Sequence, residues 1–488
     1  MITVGAEAKS NNCMTNNLDP KELITLRTGG LYEGAARLVV YLYTFELGIA
    51  LALFGLYKSP VPQWTMLWTR AGIVMVIGSA VLLVSGLLMV RESVRFSGST
   101  RRTWLLAILT NLITVSLTIV FLEGIFRVTA QEGVKGLIVM HVEVPYGERE
   151  LFDRARRVLG APGDPDFWRH TFFVNDAELG WTVGKSRTGP DGMYSSSDEG
   201  LRSQVPGIRL RDATPRARVA LIGDSFAFSS DVPYQESWGY HLQDLVGPNT
   251  QVLNFGVDGY GVDQMYLKYR RDVRPWHPDV VLVGFIQHDL WRTIHVYPFL
   301  SLGWSALMVK PRFDDRLPVP ELLNVPLPTF EEILSVRSAR ELPYLDYDPW
   351  SVRNRWTSWI DEGPLFLRFV NTLIPHWNTQ DPRFSEDAVV ALNARLFVRM
   401  RDAMVQDGVT PIFVLLPSRD STGELTRRTF QLAQIPLSDM SACVAEVPET
   451  RRTVPGSSHF TGLANKAVAK CTAAEVLRAL STKLASSQ

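Results

Sequence analysis

The chain has 488 residues, with 50 Lys and Arg balanced by 50 Asp and Glu. That length exceeds one ordinary domain, and zero net charge without any basic run argues against a nucleic-acid partner. The eight His are scattered, with no paired His, Cys or carboxylate spacing, so neither a metal nor a cofactor is expected.

In chain order, residues 1–130 read as a membrane anchor. Three apolar segments, Leu38–Tyr57, Ala71–Val90 and Trp104–Leu122, stand out. Each is about 20 residues, the length that crosses a hydrocarbon core of about 30 Å as a helix. The first begins too far in, and lacks the small-residue cleavage pattern, to be a removable signal peptide. The loop Arg91–Arg102 carries Arg91, Arg95, Arg101 and Arg102 against one acid, Glu92, whereas Lys58–Arg70 holds only its bordering cations. The positive-inside rule places the Arg-rich loop and the amino terminus in the cytoplasm, and everything after Phe121 outside. Glu46 falls in the middle of the first span, and Asn111 of the third is the expected hydrogen-bond donor to it, as glue within a helix bundle.

Residues 131–213 mix short runs such as Gly136–Val144 with Pro, Gly and Asp clusters, and predict an entry region of strands and turns. From Val219 the pattern becomes α/β. It reads as strand Val219–Ile222, helix Ser237–Val246, strand Thr250–Phe255, helix Val262–Val273 and strand Asp279–Ile286. Later come helix Glu386–Gln406, strand Thr410–Leu416 and a terminal helix Gly462–Leu484. Strands alternating with helices predict a largely parallel sheet with helices on both faces, built from 214–300 and 383–488. Between them, 301–382 is rich in Pro and holds Trp304, Trp350, Trp356, Trp359 and Trp377. It reads as an insertion or lid over the carboxyl edge of the sheet, its rings packing the insertion in preference to stacking on sugars.

Chemistry concentrates at four places. Gly223-Asp224-Ser225 breaks the first strand into a tight turn, where open α/β sheets place ligands. A serine there presents its hydroxyl as a nucleophile and its own N–H to an oxyanion, although Gly, Asp and Ser also form ordinary turns. Asn254–Gly259 and Gln287–Asp289 follow the next two strands, and Gly259 has no side chain to block the approach of its N–H to a substrate. His459, in the loop before the terminal helix, is the expected base.

GDS at 223–225, NFGVDG at 254–259, QHD at 287–289 and this late histidine resemble the four blocks of the SGNH (GDSL) hydrolase superfamily. The likeness is closest to membrane-anchored bacterial members. It implies a flavodoxin-like three-layer α/β domain with Ser225 as nucleophile and His459 as base. The amides of Ser225 and Gly259, with His288, stand where the oxyanion donors belong, and Asp224, Asn254 and Asp289 support them. Two positions depart from the pattern. His288 replaces the family's asparagine, and Gly456 and Ser457 stand where an aspartate precedes the base. A backbone carbonyl, or an acid from elsewhere in the chain such as Asp289 or Asp439, is then expected to orient His459.

The implied function is an esterase that removes acyl groups, acetyl foremost, from surface glycans or lipids through a Ser225 acyl-enzyme. Two other readings stay open: an O-acyltransferase supplied by a membrane acyl-donor protein, and a non-catalytic glycan-binding protein. The implied location is the bacterial inner membrane, multi-pass, with a periplasmic carboxyl-terminal domain. Cys13 then faces the cytoplasm and stays reduced. Cys443 and Cys471 lie outside, where a disulfide would tie the His459 loop to the terminal helix.

Overall fold

The computed structural model describes residues 36–49, 52, 70–95, 100–133, 136–159, 172–189, 192–302, 307–314, 319–353, 362–373, 381–418 and 423–486. The chain divides into two units: 1–131, 138–144 and 363–377 in the first, and the remainder in the second.

The first unit contains a helix over 36–49, the helices Arg70–Arg95 and Thr100–Thr129, and the short helix Leu365–Leu373. Among the described residues one helix, Ala107–Thr129, is long and apolar enough to cross a membrane; Val76–Arg91 is a shorter apolar helix. Of the first expected span, residues 50–51 and 53–57 lie outside the described residues, as do the loop 58–69 and Cys13. The helix over 36–49 and Arg70–Arg95 touch at Gly48, where a Cβ would stand 2.7 Å from the Leu82 backbone nitrogen. Such close backbone contact is the packing that small residues permit between membrane helices. The expected bond between Glu46 and Asn111 is absent: Asn111 is buried with its amide nitrogen unpaired among the described residues, while Glu46 is exposed. Near the end of Thr100–Thr129, Glu123 accepts the N–H of Phe366 at 2.9 Å, and the Phe126 ring meets Phe366 and Phe369 edge-on. The helix Leu365–Leu373 therefore packs against Thr100–Thr129, a departure from the reading of 301–382 as one insertion or lid.

The second unit is organised by a seven-stranded sheet. Its strands are β1 (Ser195–Ser196), β2 (Arg202–Ser203), β3 (Ala217–Gly223), β4 (Thr250–Asn254), β5 (Val280–Phe285), β6 (Thr410–Leu415) and β7 (Ser438–Asp439), in the order β7-β6-β5-β3-β4-β2-β1. Strands β3 to β7 run parallel, while β2 and β1 add an antiparallel pair at the β4 edge. The parallel strands follow the flavodoxin order, and the direction of winding reverses between β3 and β5. There Val280 pairs with Val219 and Gly284 with Gly223. Every residue of β5 is buried, as expected for a strand covered on both faces. Its alternation sorts the two cores. Val281, Val283 and Phe285 join Phe397, Phe413 and Phe430 on one side, and Val280 and Leu282 join Trp238, Val468 and Val476 on the other.

The covering helices are α1 (Ser225–Phe228), α2 (Trp238–Val246), α3 (Val262–Lys268), α4 (Gln287–Arg292), α5 (Glu386–Gln406), α6 (Glu424–Ala433) and α7 (Gly462–Ser486). Ser385 caps α5 by accepting the Ala388 N–H, with Glu386 and Asp387 in its first turn, so this helix is legible from sequence. Helices α4 and α6, strand β7 and the β1–β2 edge pair were not foreseen. The entry region contains the expected strands and also a helix, Glu148–Leu159.

The insertion is tied to the sheet domain by buried charge. Lys310 Nζ donates to both Asp263 oxygens at 2.9 and 2.7 Å, with neither side chain meaningfully exposed. Asp348 accepts the N–H groups of Val296, Tyr297 and Trp350. Trp350 is buried in the cluster with Phe299 and Leu345, a packing role as expected. Trp304, Trp356, Trp359 and Trp377 lie outside the described residues.

Candidate active site

Strand β3 ends at Gly223, and Asp224 caps α1 by accepting the Phe226 N–H at 2.9 Å. Ser225 is thereby the first helical residue, whose N–H has no acceptor within its own helix. The loop carrying His459 is pinned by a bridge between Thr453 and Phe460 and by the Val454 N–H to the His459 carbonyl. The Phe226 ring packs edge-on against the imidazole, 5.3 Å between centres.

These elements bring Ser225 and His459 together, with 2.9 Å between Oγ and Nε2. On the other side of the ring, Nδ1 lies 2.6 Å from Asp231 Oδ2. A proton on Nδ1 directed at that carboxylate leaves Nε2 as the acceptor for the serine hydroxyl. Ser457 Oγ donates to the same Asp231 oxygen at 2.6 Å and accepts the His459 N–H at 3.1 Å. Partial burial pushes the Asp231 carboxyl up, but the hydrogen bonds from His459 and Ser457 and the nearby imidazole hold it below its ordinary value.

Asp231 is the residue that sequence reasoning missed. It stands on the Ser225 loop, not just ahead of His459, and it reaches His459 because Ser229 and Asp231 both adopt left-handed backbone, φ 64° each. The acids considered from sequence are otherwise engaged. Asp289 is fully buried, accepting the Ile286 N–H and the Arg292 guanidinium. Asp439 caps the Ser441 N–H at the end of β7. Ser457, two residues before His459, keeps a polar contact to its ring. The signal available in the sequence was the run Ser229-Ser230-Asp231 directly behind the nucleophile.

The candidate oxyanion donors sit on two turns. Asn254 holds the second turn to the first, donating to the Ala227 carbonyl and accepting the Gly256 N–H, each at 2.9 Å. A Cβ on Gly256 would stand 2.4 Å from the Phe228 nitrogen, so only glycine allows the turn this close to α1. Gly259 has φ +77° and is half-buried. Among the described residues neither its N–H nor that of Ser225 has an acceptor in the chain. Two such donors suit an oxyanion. His288 lies in the first turn of α4, exposed. No bond joins it to the Ser225–His459 pair among the described residues.

Two buried arginines, also missed from sequence, hold these turns. Arg292 Nη1 donates to Asp289 at 2.5 Å, to the Tyr260 carbonyl at 3.0 Å and to Asp224 at 3.4 Å, so one guanidinium links all three turns. Burial raises both carboxyls above their ordinary value against the opposing pull of Arg292. Arg202 donates to the carbonyls of Phe228, Ser229 and Val232 and so clamps the loop that bears Asp231. Ser230 Oγ then bonds Asp258 at 2.5 Å, coupling the acid loop to the Gly259 turn. Cys443 and Cys471 form a disulfide that fastens α7, the helix behind His459. No cluster of His, Cys and carboxylates able to hold a metal occurs among the described residues.

No family model and no curated protein matches the sequence. Among solved structures the chain is similar to a lipase/acylhydrolase from Enterococcus faecalis, at 12% identity and TM-score 0.28, covering 53% of this chain and 95% of that one. A GDSL-like lipase from Bacteroides thetaiotaomicron matches at 11% identity and TM-score 0.26, covering 53% and 89%. A catalytic mutant of an acetylxylan esterase from Geobacillus stearothermophilus matches at 10% identity and TM-score 0.29, covering 56% and 95%. Proteins described as GDSL-like lipases and as acetylxylan esterases are thus among the solved structures this chain is similar to.

Proposed function

We propose that the protein is a membrane-anchored serine esterase that removes small acyl groups, acetyl foremost, from an extracytoplasmic glycan or lipid. The observation that carries this reading is the unbroken relay Ser225–His459–Asp231, at 2.9 and 2.6 Å. In it Ser225 Oγ attacks the ester carbonyl carbon while His459 Nε2 takes the hydroxyl proton. The tetrahedral oxyanion lies against the Ser225 and Gly259 N–H groups, and Asp231 stabilises the imidazolium. The intermediate collapses by breaking the bond to the alcohol oxygen, which leaves with the Nε2 proton. Water, deprotonated by the same nitrogen, attacks the acyl carbon; the bond to Ser225 Oγ then breaks, Oγ takes back the Nε2 proton and the carboxylic acid leaves.

The anchor in this reading is the three-helix segment of the first 130 residues, with the sheet domain in the periplasm. The Ala107–Thr129 helix and the Arg-rich loop before it support that arrangement. A complete relay weighs against a purely binding role. A sugar hydroxyl in place of water would give acyl transfer instead, with a membrane partner as acyl donor. The test is labelling of the full-length protein with a fluorophosphonate ester, beside Ser225→Ala and His459→Ala. Labelling should occur in the parent and vanish in both variants; folded parent protein that does not label would end the esterase reading.

A further inference from the structure

A second site of a different character lies at the opposite edge of the sheet. Helix α3 leads away from the carboxyl edge that holds Ser225, and α5 ends just before β6 begins, so the ends of both helices meet at the amino edge. Between them is a cavity of about 270 Å³ lined by Tyr266, Tyr269, Arg270, Arg274, Arg399 and Asp407, among others. None of these belongs to the site described above.

The charges in this cavity do not cancel. Asp407 spends one oxygen on Arg274 and the other on the Tyr269 hydroxyl, each at 2.8 Å. Arg270 and Arg399 stand over the Tyr266 ring at 5.8 and 5.5 Å from its centre. Arg399 also donates to the Pro320 carbonyl. Among the described residues neither Arg270 nor Arg399 has a carboxylate partner, so two positive charges are uncompensated.

The backbone supplies a separate observation. Directly after α3 the chain widens into a π turn, Tyr269–Val273, which carries Tyr269 and Arg270 and hands on to Arg274. Single π turns are uncommon and recur at functional sites, because the extra residue re-aims the side chains that follow. Arg271 of the same turn is not available to the cavity, being paired with Asp176 and Asp272.

We propose that this cavity binds an oxyanion, the carboxylate or phosphate of an acidic sugar unit. A guanidinium presents a planar fork of donors that matches either group in bidentate fashion. The volume is just below the roughly 300 Å³ at which drug-sized pockets begin, which is room for one monosaccharide unit. Gln406, also in the lining, supplies a neutral donor and acceptor for sugar hydroxyls. The proposal does not depend on Ser225 being active, since it is read by binding.

The experiment is calorimetric titration of the full-length protein in detergent micelles with sodium glucuronate, glucose 6-phosphate and glucose. At least one acid should bind saturably and glucose should not. Binding by glucuronate alone assigns the carboxylate source, and by the phosphate alone the other. Arg270 is exposed, so Arg270→Ala and Arg270→Glu leave the fold intact. The first should weaken binding about tenfold or more, the loss of a charge-assisted hydrogen bond, and the second should abolish it, while turnover of p-nitrophenyl acetate is unchanged. Failure of both acids to bind saturably, equal binding of glucose, or parent-like binding by Arg270→Glu would each overturn the proposal.

Discussion

Replacing Asp231 by Asn preserves the size of the side chain and removes its charge from the relay. In the parent, Oδ2 lies 2.6 Å from His459 Nδ1, which places the centres of charge about 4 Å apart once the imidazolium forms. Two unit charges at that distance attract by about 4 kcal/mol at an effective dielectric of about 20. The Asp231 side chain is 41% exposed, so solvent screening reduces this to about 2–3 kcal/mol. At about 1.4 kcal/mol per factor of ten, kcat should fall about a hundredfold. Because the interaction strengthens only as the proton transfers, KM should scarcely move. The assay is the initial rate of p-nitrophenyl acetate hydrolysis by the full-length protein, with Asp439→Asn as the control that should behave like the parent. Ser457 already lies 3.1 Å from His459 Nδ1. The double variant Asp231→Ser, Ser457→Asp should therefore regain part of the rate lost in Asp231→Ser. A loss of less than about threefold in Asp231→Asn, too small for any charge-assisted bond, or an equal loss in Asp439→Asn, would refute the assignment of Asp231 as the acid.

Gly256→Ala forces a Cβ to within 2.4 Å of the Phe228 nitrogen, so it should displace the Gly259 turn and depress kcat well beyond its effect on melting temperature; an unchanged kcat would contradict that packing. Lys310→Met leaves the Asp263 carboxylate buried without a counter-charge and should cost about 3–5 kcal/mol in denaturant titration. Adding Asp263→Leu should recover much of that loss, and no recovery would argue against a simple buried pair. Burial raises the Asp348 carboxyl from 3.8 to about 6 despite three backbone donors. A folded-state value above the unfolded one contributes stability that is complete below about pH 4 and lost as pH rises through 6, about 3 kcal/mol in all. The stability of the parent relative to Asp348→Asn should thus decline across that interval, and a difference independent of pH would exclude Asp348 as the source.

Much of this architecture is legible in the linear pattern. The apolar runs at β3, β5 and β6 and the capped start of α5 are local features, set by burial on both faces of a strand and by a Ser-Glu-Asp helix start. Ser225, Gly259 and His459 are legible as candidates because each stands at a strand-end or helix-start turn. The expected Glu46–Asn111 bond failed because spacing along two helices says nothing about which way each is rotated in the bundle.

What the sequence determined by itself is therefore the set of turns, and with them the candidate positions Ser225, His459 and Gly259. The tertiary structure alone decided which carboxylate stands behind His459. Asp231 reaches His459 across 228 positions of chain through two left-handed residues and the Arg202 clamp, none of which has a periodic signature. Arg292 likewise serves three turns that are neighbours only because the winding of the sheet reverses between β3 and β5. Buried charges of this kind are placed by burial and by the counter-charge they meet, and both exist only once distant segments have packed.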